Sequence, residues 1–435
     1  MWAKRILLLL LLAVVLGAGG FLAWAWEPAL PAAEPPDRAA FNRQRLERGA
    51  ELAAIGNCYV CHTTEGGKAY AGGRPLPTPF GTIYATNITP DPDTGIGRWS
   101  EAAFTRALRE GVDRAGRHLY PAFPYDHFTN LSDEDVGALY AFMMTREPVR
   151  AENPKNELTF PLDVRLSVAG WKLLFFRKGR AEPAADAASS RGAYLMQAVA
   201  HCGACHTPRN RLGAEDTRRP LAGGRAEGWN APALDAASPA PVPWTADTLF
   251  TYLRSGFEPR HGAAAGPMAP IVRLLAQVPE EDVRAIAAAV IAVAGPPSPE
   301  RQRTVDALLG RLSRADAGTV GLGADGKPSG NAIFAGACAN CHSETRLRGA
   351  AGALNLALTS AINAPDPGNA IRVVLDGLHP GASGRGPSMP GFAGTLDDAQ
   401  IAEVIAYARS RFSTQPAWSG LEARVRGIRE GKEPF

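Results

Sequence analysis

The chain has 435 residues, more than one hydrophobic core accommodates, and its 46% apolar and 20% charged content excludes an intrinsically disordered protein. A net charge of +3 with a pI near 8.5 is only mildly basic. No basic run interleaved with aromatic residues occurs, so nucleic acid is excluded as a partner.

Lys4 and Arg5 precede a run of 21 residues without a charge, Ile6 to Trp26. About 20 apolar residues cross a bilayer as a helix. The flanking cations place the N-terminus inside, and Trp24 and Trp26 suit the aromatic belt of the far interface. A cleaved signal peptide is the competing reading, but its apolar region runs about 7–15 residues, and no small-x-small cleavage site follows directly. Residues 1–27 therefore read as a membrane anchor or signal, with the anchor favoured, and the body of the chain as exported. Residues 28–38 are rich in Pro and Ala and read as a short stiff spacer leading away from the membrane.

A long repeat follows. Arg48-Gly49-Ala50-Glu51-Leu52, Arg191-Gly192-Ala193-Tyr194-Leu195 and Gly330-Asn331-Ala332-Ile333-Phe334 are helical stretches, each placing a glycine eight to ten residues before a cysteine. Glycine weakens a helix, so its recurrence predicts close helix–helix contact. Each repeat closes with another helix, beginning near Ser132, Pro279 and Asp397. Ser132 and Asp397 are N-caps, Gln400 completes a capping box, and Pro279 suits the first helical turn. Acidic residues in each first turn complement the helix dipole. The Gly-, Pro- and Asn-rich middles read as irregular loops.

The glycine-bearing helices lead into Cys58-Tyr59-Val60-Cys61-His62, Cys202-Gly203-Ala204-Cys205-His206 and Cys338-Ala339-Asn340-Cys341-His342, which use all six cysteines. A lone C-x-x-C also fits half a zinc site or a thioredoxin-like redox pair. Structural zinc needs two such pairs close together, and thioredoxin needs a βαβ setting. The three pairs here stand far apart, each with a trailing His. C-x-x-C-H is the attachment site of c-type haem: two thiols form thioethers and the His ligates iron. Three covalently bound c-type haems are expected, at Cys58, Cys61, Cys202, Cys205, Cys338 and Cys341, with His62, His206 and His342 as proximal ligands.

The expected fold is mainly α: three tandem class I cytochrome c domains after an N-terminal transmembrane helix. Boundaries are placed at 39–180, 185–310 and 325–412, with a tail over 413–435. The Ala/Pro-rich run Arg180 to Ser190, the GPPSPE stretch from Gly295 and the Gly-rich Gly318 to Pro328 mark the junctions. In the tail, Trp418, Leu421, Val425 and Ile428 share one helical face. That face either packs back on the domains or docks on a partner or membrane.

A Met or His commonly fills the sixth iron position. Met268 in Gly266-Pro267-Met268-Ala269-Pro270 and Met389 in Ser388-Met389-Pro390-Gly391-Phe392 fit distal loops. The corresponding loop of the first domain carries Phe123, which cannot coordinate iron. Met144, Met143, His118 and His127 remain, with Met144 favoured and both His read as exposed rings; a five-coordinate haem is the other option. Met196 reads as core, and His201, His261 and His379 have no assigned role beyond hydrogen bonds near haem propionates.

TPFGTIYATNITPD with TGIGRW, HLYPAFPYDHF with LSDEDVGALYAFMMT, GPMA and SMPGF together cover nearly the whole chain in their spacing. Through them it resembles the three-haem cytochrome c subunits of bacterial membrane-bound dehydrogenases of the quinoprotein alcohol, flavin gluconate and molybdopterin types. The PAFPY wording looks most like the molybdopterin-enzyme partners. The resemblance implies electron transfer from a catalytic dehydrogenase subunit, with or without a small iron–sulfur subunit, to ubiquinone or the respiratory chain. It places the chain at the periplasmic face of the inner membrane. No nucleophile–base pair or phosphate loop stands apart from the haem sites, so no substrate turnover by this chain alone is expected. The rival is a haem enzyme, peroxidase-like or thiosulfate-oxidising, working at an open first haem.

Overall fold

The computed structural model describes residues 2–179, 187–296, 298–312, 329–342, 354–379 and 388–432. The Gly318 to Pro328 lead-in, Arg180 to Asp186 and Gly386–Pro387 lie outside them. The chain divides into two compact units: Met1–Ala53 with Cys61–Glu182, and Ala54–Val60 with Pro183–Phe435.

In the first unit, α1 (Trp2–Ala25) leaves its apolar side chains exposed along its length, as a lipid-facing helix does. The unit also holds α2 (Arg43–Ile55), α3 (Glu101–Glu110) and α4 (Asp133–Met144) and a three-stranded antiparallel sheet of β1 (Pro75–Thr78), β2 (Gly81–Tyr84) and β3 (Glu157–Leu158). Ser132 caps α4 as its sequence position predicts, its hydroxyl accepting from the Asp135 N–H. A Cβ added to Gly49 would run into the Ala138 carbonyl, so α2 and α4 touch backbone to backbone. Arg48 locks the crossing through two 3.0 Å hydrogen bonds to the largely buried Asp135 carboxylate.

The Pro- and Ala-rich segment after α1 is hydrogen-bonded to the unit. The Leu30 N–H donates to the Arg114 carbonyl at 2.8 Å and the Ala33 N–H to the Arg98 carbonyl at 3.0 Å. The Arg106 guanidinium donates to the Pro28 carbonyl at 2.7 Å. The segment therefore lies along the unit, and the end of α1 is joined to it. His118 is not an exposed ring: it is buried, and its Nε2 meets the Ala25 carbonyl at 2.8 Å. Its Nδ1 lies 3.1 Å from the Lys172 ammonium, which also donates to the Glu110 and Gly111 carbonyls. Lys172 belongs to α5 (Ser167–Phe175).

Burial lowers Lys172 from 10.5 to about 8, only partly countered by Glu27 and Glu110. Between those values the unfolded lysine holds a proton that the folded one has shed, so stability rises with pH across that window. Lys172→Met leaves two carbonyls unpaired and is expected to cost about 1–3 kcal/mol. Thermal melts of the detergent-solubilised chain should show a lower Tm and a flatter pH dependence between about pH 8 and 10.5.

The second unit repeats the helix plan twice. α6 (Ala187–Tyr194) continues as a π-helical turn, Leu195–Val199, into the second motif. That turn carries an extra residue, which matches the longer spacing from Gly192 to Cys202. β4 (Gly224–Ala226) and β5 (Trp229–Ala231) form a hairpin; α7 (Ala246–Ser255), α8 (Met268–Leu275) and α9 (Glu280–Ala294) follow. Pro279 is the N-cap residue of α9 with extended backbone, not part of its first turn. Gly192 abuts the Ala285 carbonyl of α9.

α10 (Gly330–Ala337), α11 (Gly368–Asp376) and α12 (Asp398–Phe412) make the last repeat. Gly330 abuts the Glu403 carbonyl of α12, and Asp397 with Gln400 forms the expected capping box. α13 (Leu421–Arg429) buries Leu421, Val425 and Ile428 in the core it shares with Ile371, Ile401 and Ile405. The Trp418 indole donates to the Ala364 and Pro365 carbonyls. The apolar face of the tail is consumed inside the unit, which rules out its docking on a partner or membrane.

The middles are less irregular than their composition predicts. Each carries a helix, α3, α7 or α11, of which α3 and α7 have side-chain N-caps from Ser100 and Thr245. Ala103, Phe104, Ala107 and Leu108 show the apolar spacing that folds α3 onto the core.

Candidate haem sites

All three C-x-x-C-H motifs form a single helical turn, Cys58–Cys61, Gly203–His206 and Ala339–His342. A turn of helix brings residues three apart to one side, so both thiols of a pair can reach one planar group. Burial pushes the Cys202 thiol up to about 12 and the Cys338 thiol up to about 11, with the neighbouring Cys205 and Cys341 adding to the effect.

Each trailing His is oriented by a backbone carbonyl. His62 Nδ1 lies 2.6 Å from the Thr86 oxygen, His206 Nδ1 2.7 Å from the Pro232 oxygen, and His342 Nδ1 3.1 Å from the Leu354 oxygen. A carbonyl only accepts, so Nδ1 carries the proton and Nε2 keeps its lone pair for a metal. Burial lowers all three imidazoles below their ordinary value, against the carbonyl bonds, and so favours the neutral form that ligates iron. These carbonyl partners were not found by sequence reasoning. They follow the His by 24, 26 and 12 residues, and a backbone oxygen has no residue signature.

Thr86 is held by its neighbours. The Asn87 amide donates to the Val149 carbonyl at 2.7 Å, and its oxygen accepts from the Thr89 N–H at 2.9 Å. Thr94 closes the loop through Asp91 at 2.7 Å. The TNITPD stretch thus fixes the acceptor of His62.

In the second unit one cavity of about 610 Å³ is lined by Cys202, Cys205, His206 and Met268 and by Cys338, His342 and Met389. Met268 and Met389 thus line one space together with the second and third motifs. Met389 is seated by a pair of 2.9 Å backbone bonds with Leu378. Gly377, at φ 77°, lets that strand pass, since a Cβ there would meet the Met389 carbonyl. Met268 opens α8. Apart from these donors the lining is largely Leu, Ile, Val, Ala and Pro.

The two halves of this cavity are tied by polar contacts between β5 and α11. The Asn369 amide donates to the Asn230 carbonyl at 2.8 Å and its oxygen accepts from the Asn230 N–H at 2.9 Å. The Asn230 amide donates to Asp366 at 2.7 Å, and the Arg372 guanidinium to the Gly228 carbonyl at 3.0 Å. Sequence reasoning missed this clamp and also the wall formed by Trp244, whose indole stacks on His261 at 3.5 Å. His261 Nδ1 in turn lies 2.6 Å from Glu258, so its ring is fixed within the protein.

In the first unit both ring nitrogens of His118 have partners, which removes it as an iron ligand. Met143 and Met144 are buried on α4, and His127 is half-buried. Phe123 packs against Phe128 at 5.5 Å and Tyr125 at 6.5 Å. The donor sets fit haem: paired thiols on one turn, an oriented neutral imidazole and, in the second unit, a thioether on the wall of an apolar cavity.

The cytochrome c family matches residues 46–147, and the family described as cytochrome c oxidase, cbb3-type, subunit III matches residues 326–407. The chain is 35% identical to the gluconate 2-dehydrogenase cytochrome c subunit of Pantoea cypripedii, over 92% of this chain and 90% of that protein. It is 34% identical to the fructose dehydrogenase cytochrome subunit of Gluconobacter japonicus, over 91% and 85%. It is 45% identical to a nicotinate dehydrogenase subunit of Pseudomonas putida over 96% of this chain, and spans about a third (35%) of that relative's length. The chain belongs to the family of cytochrome c subunits of bacterial membrane-bound dehydrogenases. It is an electron-transfer cytochrome that carries covalent c-type haem, not the catalytic subunit.

Proposed function

We propose that the chain holds three c-type haems in three tandem class I cytochrome c domains and relays electrons from a partner dehydrogenase to ubiquinone. The reading places it at the periplasmic face of the inner membrane, anchored by α1. The observation that supports it is one apolar cavity of the second unit whose wall carries Cys202, His206, Met268, Cys338, His342 and Met389 together. Groups attached along one such wall would be neighbours, which suits a one-electron relay.

Each haem would supply a one-electron iron couple. The chain's own residues set its terms. The six cysteines fix the groups covalently, and His62, His206 and His342 each present Nε2. Met268 and Met389 offer neutral thioethers, and the apolar lining keeps water from the charged metal. For the first site the sixth ligand is assigned to Met144, with Met143 and His127 as the alternatives that the test separates. Identity to the nicotinate dehydrogenase subunit supports a catalytic dehydrogenase partner, and the PAFPY wording favours the molybdopterin type, with or without a small iron–sulfur subunit.

Haem content per chain is the primary test. The full-length protein should give three covalent haems by pyridine haemochrome assay, and serine at both cysteines of any one motif should give two. A count of two for the unaltered chain would overturn the reading. In the same preparations, Met144→Ala should convert one haem of three from low-spin to high-spin, while Met143→Ala and His127→Ala leave the spectrum unchanged. A conversion produced by Met143→Ala or His127→Ala instead moves the assignment to that residue.

A further inference from the structure

We propose that α5 and the loop before it form a second membrane contact of this chain, lying in the lipid interface beside α1; this rests on α1 spanning the bilayer. Seven large apolar residues are exposed among the described residues beyond Trp26, and four of them fall within 15 residues of one another: Phe160 (82%), Val164 (46%), Leu173 (55%) and Leu174 (61%). Singly exposed apolar side chains are ordinary, but a contiguous group marks an interaction surface.

The geometry of α5 says what covers it. Val168, Ala169 and Lys172 face inward and are buried. Gly170, Leu173 and Leu174 fall on the opposite face by helical spacing. On that face, a Cβ at Gly170 would lie 3.9 Å from the Phe21 ring, so α5 passes the last turn of α1. The outward apolar face of α5 is therefore continuous with the lipid-facing surface of α1.

The unit also cannot swing away from the bilayer. The His118 Nε2–H donates to the Ala25 carbonyl at the end of α1, and Arg165 donates to the His118 carbonyl at 3.0 Å. The Tyr120 hydroxyl donates to the Leu162 carbonyl at 2.9 Å, which pins the loop that carries Phe160 and Val164. Thus the end of α1, the loop and α5 are one assembly. At the end of α5 stand Arg177 and Lys178, both exposed, where lipid phosphates attract cations. Apolar side chains in the acyl boundary with basic residues at the headgroups are the pattern of an interfacial helix.

The occupant of this face is then the bilayer itself. The test uses the full chain in native membranes, with the photoreactive residue p-benzoylphenylalanine placed at Leu174, at Phe160 and, within α1, at Leu9. The haem complement of each variant is checked by haem staining. Illumination at Leu174 and Phe160 is expected to add the mass of a phospholipid to the chain. An adduct with another protein subunit at these positions overturns the proposal, as does no adduct where Leu9 yields a lipid adduct. Failure at Leu9 as well strikes the membrane-spanning reading of α1 together with this one. A lipid adduct at Leu174 without one at Leu9 leaves α5 in the interface and removes the span alone.

Discussion

Met389→Ala in the haem-loaded chain is expected to lower the potential of one haem of three by on the order of 100 mV or more, within the roughly 0.8 V span that axial ligands set. A thioether is neutral and soft, so it favours ferrous over ferric iron, and its loss removes that preference. At about 59 mV per tenfold for one electron, such a shift moves the electron equilibrium between neighbours by more than tenfold. Met268→Ala should do the same to a different haem, since Met268 follows the second motif in the chain and Met389 the third. Spectroelectrochemical titration reads each component separately. Unchanged potentials in both variants would show that neither sulfur is an iron ligand, and would leave Met268 and Met389 as wall residues.

Gly192→Ala should destabilise the second unit although it improves a helix. On propensity alone, alanine gains about 1 kcal/mol over glycine in a helix interior. At this position the new methyl would occupy the place of the Ala285 carbonyl, and neither backbone can yield without moving its helix. Overpacking of this kind costs about 1–3 kcal/mol, and Gly192→Val should cost more. At about 2–4 °C per kcal/mol for a body of this size, the melt of the second unit should fall by several degrees. Gly49→Ala and Gly330→Ala meet the Ala138 and Glu403 carbonyls in the same way. A raised Tm in these variants would show that the helix crossings tolerate a wider gap.

Much of the site was legible because covalent haem attachment is written in adjacent residues. Cys202, Cys205 and His206 need only one helical turn to converge, and the motif specifies that turn locally. The glycines at 49, 192 and 330 were legible for a related reason: a residue that weakens its own helix implies a neighbour that needs the room. The capping box at Asp397 and Gln400 and the Ser132 cap also follow from residues three apart. Pro279 shows the limit of such reasoning, because cap and first-turn positions differ by one residue and both accept proline.

Local sequence determined that this is a mainly helical chain with covalent haem attachment motifs, each with a His ready to ligate and, for two of them, a Met loop downstream. Tertiary structure decided which carbonyl aims each His, that the second and third motifs share one cavity, and that the Pro-rich segment after α1 lies along the first unit. It also decided that the apolar face of the tail is buried while that of α5 is left open. The division has one physical reason. Motifs and caps act over a few residues, where the chain itself holds partners together. Carbonyl acceptors, Asn–Asn clamps and the matching of apolar faces join residues tens to more than a hundred positions apart, and backbone atoms look alike in every sequence.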